Sequence, residues 1–348
     1  MELTVITGNI KAESYLYFAL PSQDGKVKPP VIELVEDGKI KEKFAISANT
    51  LRGYLRSKCA EYFLRKLYEK TKNKIDYLTF ILYTSGGAIT KKDEEKKIIL
   101  PEEYVKVKRL LDKTLVLSLF GASLPYPIQM VEGKLRIGFA ISNLSKENEE
   151  KPVEITFAKT AKEAEFFEMV GESIADGNSY IKTFEIIRKE KGSKKDDEFL
   201  MIRNILGIPV IPKGTTFEHT IEIINATDEE VALVLHGLRE ISRTGLGGMK
   251  RLGFGKLSFD YTLYRPKEDP IKMLIKNGEI EIKEDKDKKE RLNELFNKLE
   301  RHYENLSESE WLSFNYEGIE KLIASTAKSI GGKKKEKKSN EESQEDTD

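Results

Sequence analysis

Residues 208–264 read IPVIPKGTTFEHTIEIINATDEEVALVLHGLREISRTGLGGMKRLGFGKLSFDYTLY. In the first third, Thr216, Glu218, Thr220 and Glu222 alternate with Phe217, His219, Ile221 and Ile223, the period of a strand with one wet face and one dry face. Thr227 followed three residues later by Glu230 has the capping-box spacing, so a helix is expected to start there and run through VALVLHGLREI. Five glycines, at 245, 247, 248, 253 and 255, then turn the chain back into LSFDYTLY, a second strand. Strand, helix, glycine-rich loop and strand make half of a ferredoxin-like unit, so the expected class is α+β. His219 falls on the dry face and is expected to be a core residue.

Working towards the N-terminus, LTVITGNIKA reads as a strand, and VIELVEDGKIKEKFAI as a hairpin turning at Asp37-Gly38. Ser47 or Asn49 is placed to cap a helix through about residue 69, with Leu51, Leu55, Cys59, Tyr62, Phe63 and Leu67 as its apolar stripe. Arg52 and Arg56 lie one turn apart on another face, where the first turn's free N–H groups and the helix dipole already favour phosphate. Ser85-Gly86-Gly87 is either a phosphate-binding nest or a turn. LVLSLFGASL is an apolar run closed at Gly121, and GKLRIGFAISNL has strand character. Residues 144–168 and 188–200 are charged and read as insertions. Leu292, Leu295, Phe296 and Leu299 mark a helix, and a second is expected over about 316–328; from Gly331 onward nothing is apolar and disorder is expected.

The 59 basic and 59 acidic side chains cancel, which at first excludes a nucleic-acid partner. Resolved along the chain they do not cancel: residues 41–66 hold seven Lys or Arg against two acids, and residues 243–256 hold four and no acid. Glycines that admit close approach of another backbone, joined to Lys250 and Arg251, suit a phosphodiester chain. One cysteine excludes a disulfide framework, and three scattered histidines give no metal spacing, so no metal or other cofactor is expected. No apolar run spans a membrane and no secretory leader is read, so a cytoplasmic protein is expected. Neither a P-loop nor a dinucleotide fingerprint is present.

ISANTLRGYLRSKC (46–59), SGGA (85–88), LFGAS (119–123), the strand–helix of 208–241 and GLGGMKRLGFGKLSF together resemble the RAMP superfamily. Within it they resemble the backbone subunit that polymerises along guide RNA in CRISPR effector complexes, and the order of SGGA and LFGAS is most like the type IV subunit. The resemblance covers about residues 3–260. It implies an RRM-like palm over 1–262, an inserted helical finger region over about 50–130 and a thumb hairpin within 144–203. A helical extension over 263–330 and a tail over 331–348 would follow. Copies would stack head to tail on the guide, alongside other effector subunits, with target DNA or RNA recognised through guide pairing. Asn49, Arg52, Arg56, Ser85, Gly86, Gly87, Gly247, Gly248, Lys250 and Arg251 would contact the RNA.

The resemblance also leaves alternatives. Related type III backbone subunits cut target RNA with an aspartate in the loop after the first strand, where this chain has Asp24. A guide-processing endoribonuclease of the same superfamily would recruit His219, His236 or tyrosines. An interaction module without RNA is the plainest reading. The expectation favoured here is a binding subunit and not an enzyme.

Overall fold

The computed structural model describes residues 1–18, 29–36, 38–87, 97–124, 128, 130–143, 153–155, 208–282 and 285–329. Asp24, most of the 144–203 stretch and the tail expected after 330 lie outside the described residues.

A long strand, β1 (Leu3–Ala12), runs through the middle of the sheet. It is followed by the hairpin β2 (Val31–Glu36) and β3 (Lys39–Ile46), whose register pairs Glu36 with Lys39 across the expected two-residue turn. Next come the helices α1 (Ala48–Thr71) and α2 (Tyr77–Ser85), the short strand β4 (Lys97–Ile99), and helices α3 (Pro101–Lys113) and α4 (Val116–Phe120). Short strands β5 (Ala122–Ser123), β6 (Met130–Val131), β7 (Leu135–Ile137), β8 (Ala140–Ser142), β9 (Val153–Ile155) and β10 (Ile208–Val210) lead to β11 (Thr216–Ile224). Helix α5 (Asp228–Thr244) and β12 (Leu257–Tyr264) complete the stretch quoted above. The chain continues through β13 (Ile271–Lys276), β14 (Glu279–Glu281), α6 (Lys286–Glu304), α7 (Glu308–Ser313), α8 (Tyr316–Thr326) and β15 (Ala327–Ser329).

The main sheet is antiparallel in the order β14–β13–β12–β1–β11–β8–β3–β2, with β7 also on β11. Strand β11 buries Phe217, His219, Ile221 and Ile223, as its alternation predicts. Helices α1 and α5 pack together, and α5 also packs on β12 and β13, so the helices cover the face carrying Ile6, Ile10, Phe217, Ile221, Phe259 and Leu263. The capping box of α5 closes as expected: Thr227 Oγ1 accepts from Glu230 N, and Glu230 Oε2 accepts from Thr227 N at 2.9 Å. The other carboxylate oxygen of Glu230, which is buried, takes Lys134 Nζ at 2.7 Å and Ser118 Oγ at 2.5 Å. One side chain therefore ties the start of α5 to α4 and to the approach to β7.

The extension expected to be helical over 263–330 begins instead with sheet. The missed signal is the Asn277-Gly278 pair, both with positive φ (54° and 86°), which turns β13 into β14. The helices after it finish an aromatic core around α1. Phe63 meets Tyr83 at 4.6 Å and Trp311 and Phe314 at 5.9 Å, while the buried hydroxyls of Tyr83 and Tyr303 donate to Phe314 O and Thr114 O. No helix of the described residues is long and apolar enough to cross a membrane.

His219 sits opposite Gly8 on the central strand, with Tyr261 opposite Gly8 on the other side, and its Nδ1 lies 2.5 Å from the Tyr261 hydroxyl. Burial holds its pKa down at about 4, and burial with nearby Arg239 does the same for His236. Above the ordinary value of 6.5 both rings are neutral whether the chain is folded or not. Between 6.5 and about 4 the unfolded chain takes up protons that the folded chain refuses, so stability falls as pH is lowered through this window. The expected loss at pH 5 is on the order of 2 kcal/mol per ring. Thermal melts at pH 7.5 and pH 5 should differ accordingly, and much less in the His219→Gln/His236→Gln variant.

Candidate nucleic-acid interface

Ser47, not Asn49, caps α1: its Oγ accepts from Thr50 N at 3.1 Å, while Asn49 is exposed in the first turn. The two arginines that follow do not both point outward. Arg56 is only 7% exposed, and its guanidinium donates to Tyr83 O at 2.7 Å, Leu82 O at 2.8 Å and Phe120 O at 3.4 Å. Arg52, half-buried, donates to Phe120 O at 2.7 Å and Leu135 O at 2.8 Å. Both guanidinium carbons lie within 6 Å of the Phe120 ring centroid.

The expectation of two solvent-facing guanidiniums is therefore corrected for Arg56, and the reason is physical. The last carbonyls of a helix lack partners and carry the negative end of its dipole. Helices α2 and α4 both end against α1, and Arg56 caps the two ends at once. Burial, and secondarily the charge of Arg52, lower the Arg56 pKa to about 10, which still leaves it protonated at neutral pH.

The same geometry joins two motifs that the sequence keeps apart. Gly86 ends α2 at φ 76°, and a Cβ there would stand 2.3 Å from Arg56 Nη1. Gly121 ends α4 at φ 69°. Gly86 O accepts from Ser123 N at 2.7 Å, and Gly87 bridges Ser123, so the glycines of SGGA lie beside LFGAS. Ser85 is exposed at this turn, Gly86 and Gly87 partly so. Ala88 lies outside the described residues.

The glycine-rich loop is held closed by its own backbone. Gly245, Leu246, Gly248, Leu252, Gly253 and Gly255 donate respectively to Ile241, Gly255, Tyr17, Met249, Lys250 and Tyr15 carbonyls. Cβ atoms at Gly245 and Gly247 would strike Gly255 O at 2.8 Å and Tyr17 O at 2.5 Å. The glycines thus admit another stretch of protein, the segment after β1, more than they bare N–H groups to a ligand. What the loop presents outward is a single turn of 3₁₀ helix, Lys250–Leu252, with Arg251 and Leu252 exposed.

That turn meets α1. Tyr54 Oη donates to Gly247 O at 3.1 Å, and Lys250 Nζ stands 4.6 Å from the Tyr54 ring centroid. Burial, and then the charge of Lys58, lower the Lys250 pKa. Tyr54, Lys58 and Lys250 thus meet at one edge, with exposed Arg251 next in the loop and exposed Asn49 and Gly53 at the start of α1; Lys58 is also paired with Glu61 at 2.9 Å. Tyr54 and Lys58 were not singled out from the sequence. Their four-residue spacing from Thr50 gave the signal, but only the loop's position shows which face it marks.

The sheet face opposite the helices has a different character. Glu218, Asp260 and Tyr264 are exposed on it and Thr7, Glu222 and Thr262 partly so, a face with carboxylates and no basic group among these residues. His219 is buried, and the His236 ring lies tilted against Tyr62 with the centroids 4.5 Å apart. Among the described residues, no three His, Cys, Asp or Glu side chains are grouped so as to hold a metal ion.

No curated protein matches the sequence. Among solved structures, the chain is similar to one from a type IV-B CRISPR complex, with 16% identity, 77% of this chain and 92% of that chain covered, and a TM-score of 0.45. Csc2 of Thermofilum pendens is similar at 13% identity over 93% of this chain and 85% of that one, with a TM-score of 0.37. Csm3 of Methanopyrus kandleri is similar at 13% identity over 76% and 77%, with a TM-score of 0.38. A family model described as the RAMP superfamily matches residues 9–258, from the central strand through the glycine-rich loop into the strand that follows it. The chain belongs to the RAMP superfamily.

Proposed function

We propose that this protein is a non-catalytic backbone subunit of a CRISPR effector complex that lines up in several copies along guide RNA. The observation that carries the reading is the superfamily match over 9–258, which includes every element of the α1–glycine-loop edge. The strand order β12–β1–β11–β8, with α1 and α5 as crossovers on one face, supports a ferredoxin-like, RRM-like palm. The helices inserted after α1, α2–α4, would be the finger region. Strands β9 and β10 pair antiparallel at the two ends of the long insertion, which supports a thumb rising from there. The type IV assignment rests on the order of SGGA and LFGAS.

In this reading Asn49, Ser85, Lys250 and Arg251 touch the RNA backbone, with Tyr54 offering a ring for a base. Gly87, with open space where a side chain would stand, gives the close approach, while Gly86, Gly247 and Gly248 make room for Arg56 and Tyr17 and so shape the turns that face the strand. Arg52 and Arg56 act mainly by holding the turns in place, with Arg52 the one of the pair that is open enough to reach a phosphate. Sequence would be read by base pairing with the guide rather than by protein. Each copy holds the strand modestly, and several copies on one strand hold it tightly.

The test is binding of a single-stranded RNA of about 30 nucleotides over a range of salt. Lys250→Glu/Arg251→Glu is expected to weaken binding at least about ten-fold and to flatten the log–log salt slope by about 1.4, the share of two phosphate contacts on a single strand. Unchanged affinity and slope would remove the loop from the interface.

A further inference from the structure

We infer that the β2–β3 hairpin of one copy docks on the α1–α2 connection of the next copy, a contact that rests on the reading above that copies line up on RNA. Among the described residues, strand β3 joins the sheet only through Ala45 and Ile46, which pair with Ile141 and Ala140. Val31–Glu36 and Lys39–Lys43 otherwise pair with each other as a two-stranded ribbon, a form that is marginally stable by itself. One face of the ribbon combines apolar and acidic groups. Val35 and Ile40 are directly opposite each other and 76% and 71% exposed, and Glu33 and Glu42 are directly opposite each other and also exposed. Like charges in that position oppose strand pairing. The face is thus shaped for a partner that is apolar and basic.

The chain carries such a surface. Where α1 passes into α2, Tyr77 and Phe80 are 69% and 50% exposed, and Lys70, Lys72 and Lys74 are exposed beside them. Glu69 and Asp76 are also exposed there, Asp76 capping α2 by accepting from Thr79 N at 2.9 Å and Thr79 Oγ1 at 2.5 Å, so the three lysines outnumber the acids and the connection keeps a small positive excess. Pairing two ribbons edge to edge would bring two Glu33 rows together, which disfavours a closed dimer. Ribbon on connection is instead a heterologous contact. It leaves one unused surface of each kind at the two ends and so propagates along a strand.

The experiment compares a short single-stranded RNA that holds one copy with one of about 30 nucleotides that holds several. Glu33→Lys/Glu42→Lys is expected to bind the short RNA like the unaltered protein. On the long RNA the concentration for half-saturation should rise about ten-fold, because the neighbour contact is lost. The four-fold variant E33K/E42K/K72E/K74E, which swaps charge on both surfaces, should restore assembly. Circular dichroism confirms folding of each variant. Assembly of E33K/E42K equal to the unaltered protein overturns the contact. So does a loss of short-RNA affinity in Tyr77→Ser/Phe80→Ser, which would make the connection a nucleic-acid surface. If the unaltered protein binds neither RNA, the guide reading fails by itself. The contact is then judged by sedimentation of the free protein: concentration-dependent association that E33K/E42K abolishes supports it, and its absence overturns it.

Discussion

Replacing Arg56 by Met is expected to destabilise the protein by about 4 kcal/mol, within the range for breaking a buried charged network. The side chain is 7% exposed and holds three main-chain carbonyls, at the ends of two different helices. Met fills much of the same volume but leaves Leu82 O, Tyr83 O and Phe120 O with the guanidinium's bonds unmade. Arg56→Lys keeps the charge yet presents one compact ammonium where the geometry calls for a planar fork, so it should recover less than half of the loss. Urea titration of the three proteins measures both effects. A Met variant within about 1 kcal/mol of the original would show that the carbonyls find other partners. Since Arg56 also sets the position of Gly86 and Gly121, weakened RNA binding in a variant that still folds would follow from displaced turns rather than from a lost phosphate contact.

Gly8→Val should be at least as damaging. Gly8 lies mid-strand in β1 with φ 151°, and any Cβ there would stand 2.1 Å from Asp260 O and 3.0 Å from Tyr261 Cα. Both neighbours are backbone of β12, so the clash cannot be relieved by a rotamer change. The ladder that pairs Val5–Ala12 with Leu257–Tyr264 must part. The absent side chain also lets His219 and Tyr261 meet across the central strand at 2.5 Å. Loss of that contact and strand separation together are expected to cost about 4 kcal/mol or more, read as insoluble protein or a melting midpoint lower by roughly 10 °C. Gly8→Ala should share the defect, since the clash begins at Cβ.

These two positions show where the sequence was legible and where it was not. The strand alternation of 216–223, the capping box at Thr227 and Glu230, the hairpin at 37–38 and the stripe of α1 are local patterns, and the structure reproduces them. Arg56 was misplaced because a helical stripe identifies one buried side and leaves the others to be guessed. Helix α1 is contacted by α5, α2, α4 and α7, all of which come later in the chain, two of them far from it in sequence. A charged residue between two such neighbours faces helix ends that no local pattern announces. Gly8 gave a signal of its own, an isolated glycine inside a strand pattern, and this signals close backbone approach. Which backbone approaches depends on β12 pairing from some 250 residues away.

The candidate interface was half legible for the same reason. Lys250 and Arg251 stood out as charge beside glycine, and the structure puts Lys250 against α1. Tyr54 joined them only through its bond to Gly247. The glycines expected to admit the backbone of a nucleic acid proved to be the places where the protein's own segment Tyr15–Tyr17 packs.

The most direct measurement is ultraviolet cross-linking of the protein to bound single-stranded RNA, followed by mass spectrometry of the adducts. Cross-linked peptides from residues 49–58 and 247–256 are expected, with Tyr54, Lys250 and Arg251 among the sites. Adducts confined to the open sheet face around Thr7, Glu218 and Asp260, or no adducts under conditions where the RNA co-migrates with the protein, would contradict an RNA held at the α1–glycine-loop edge.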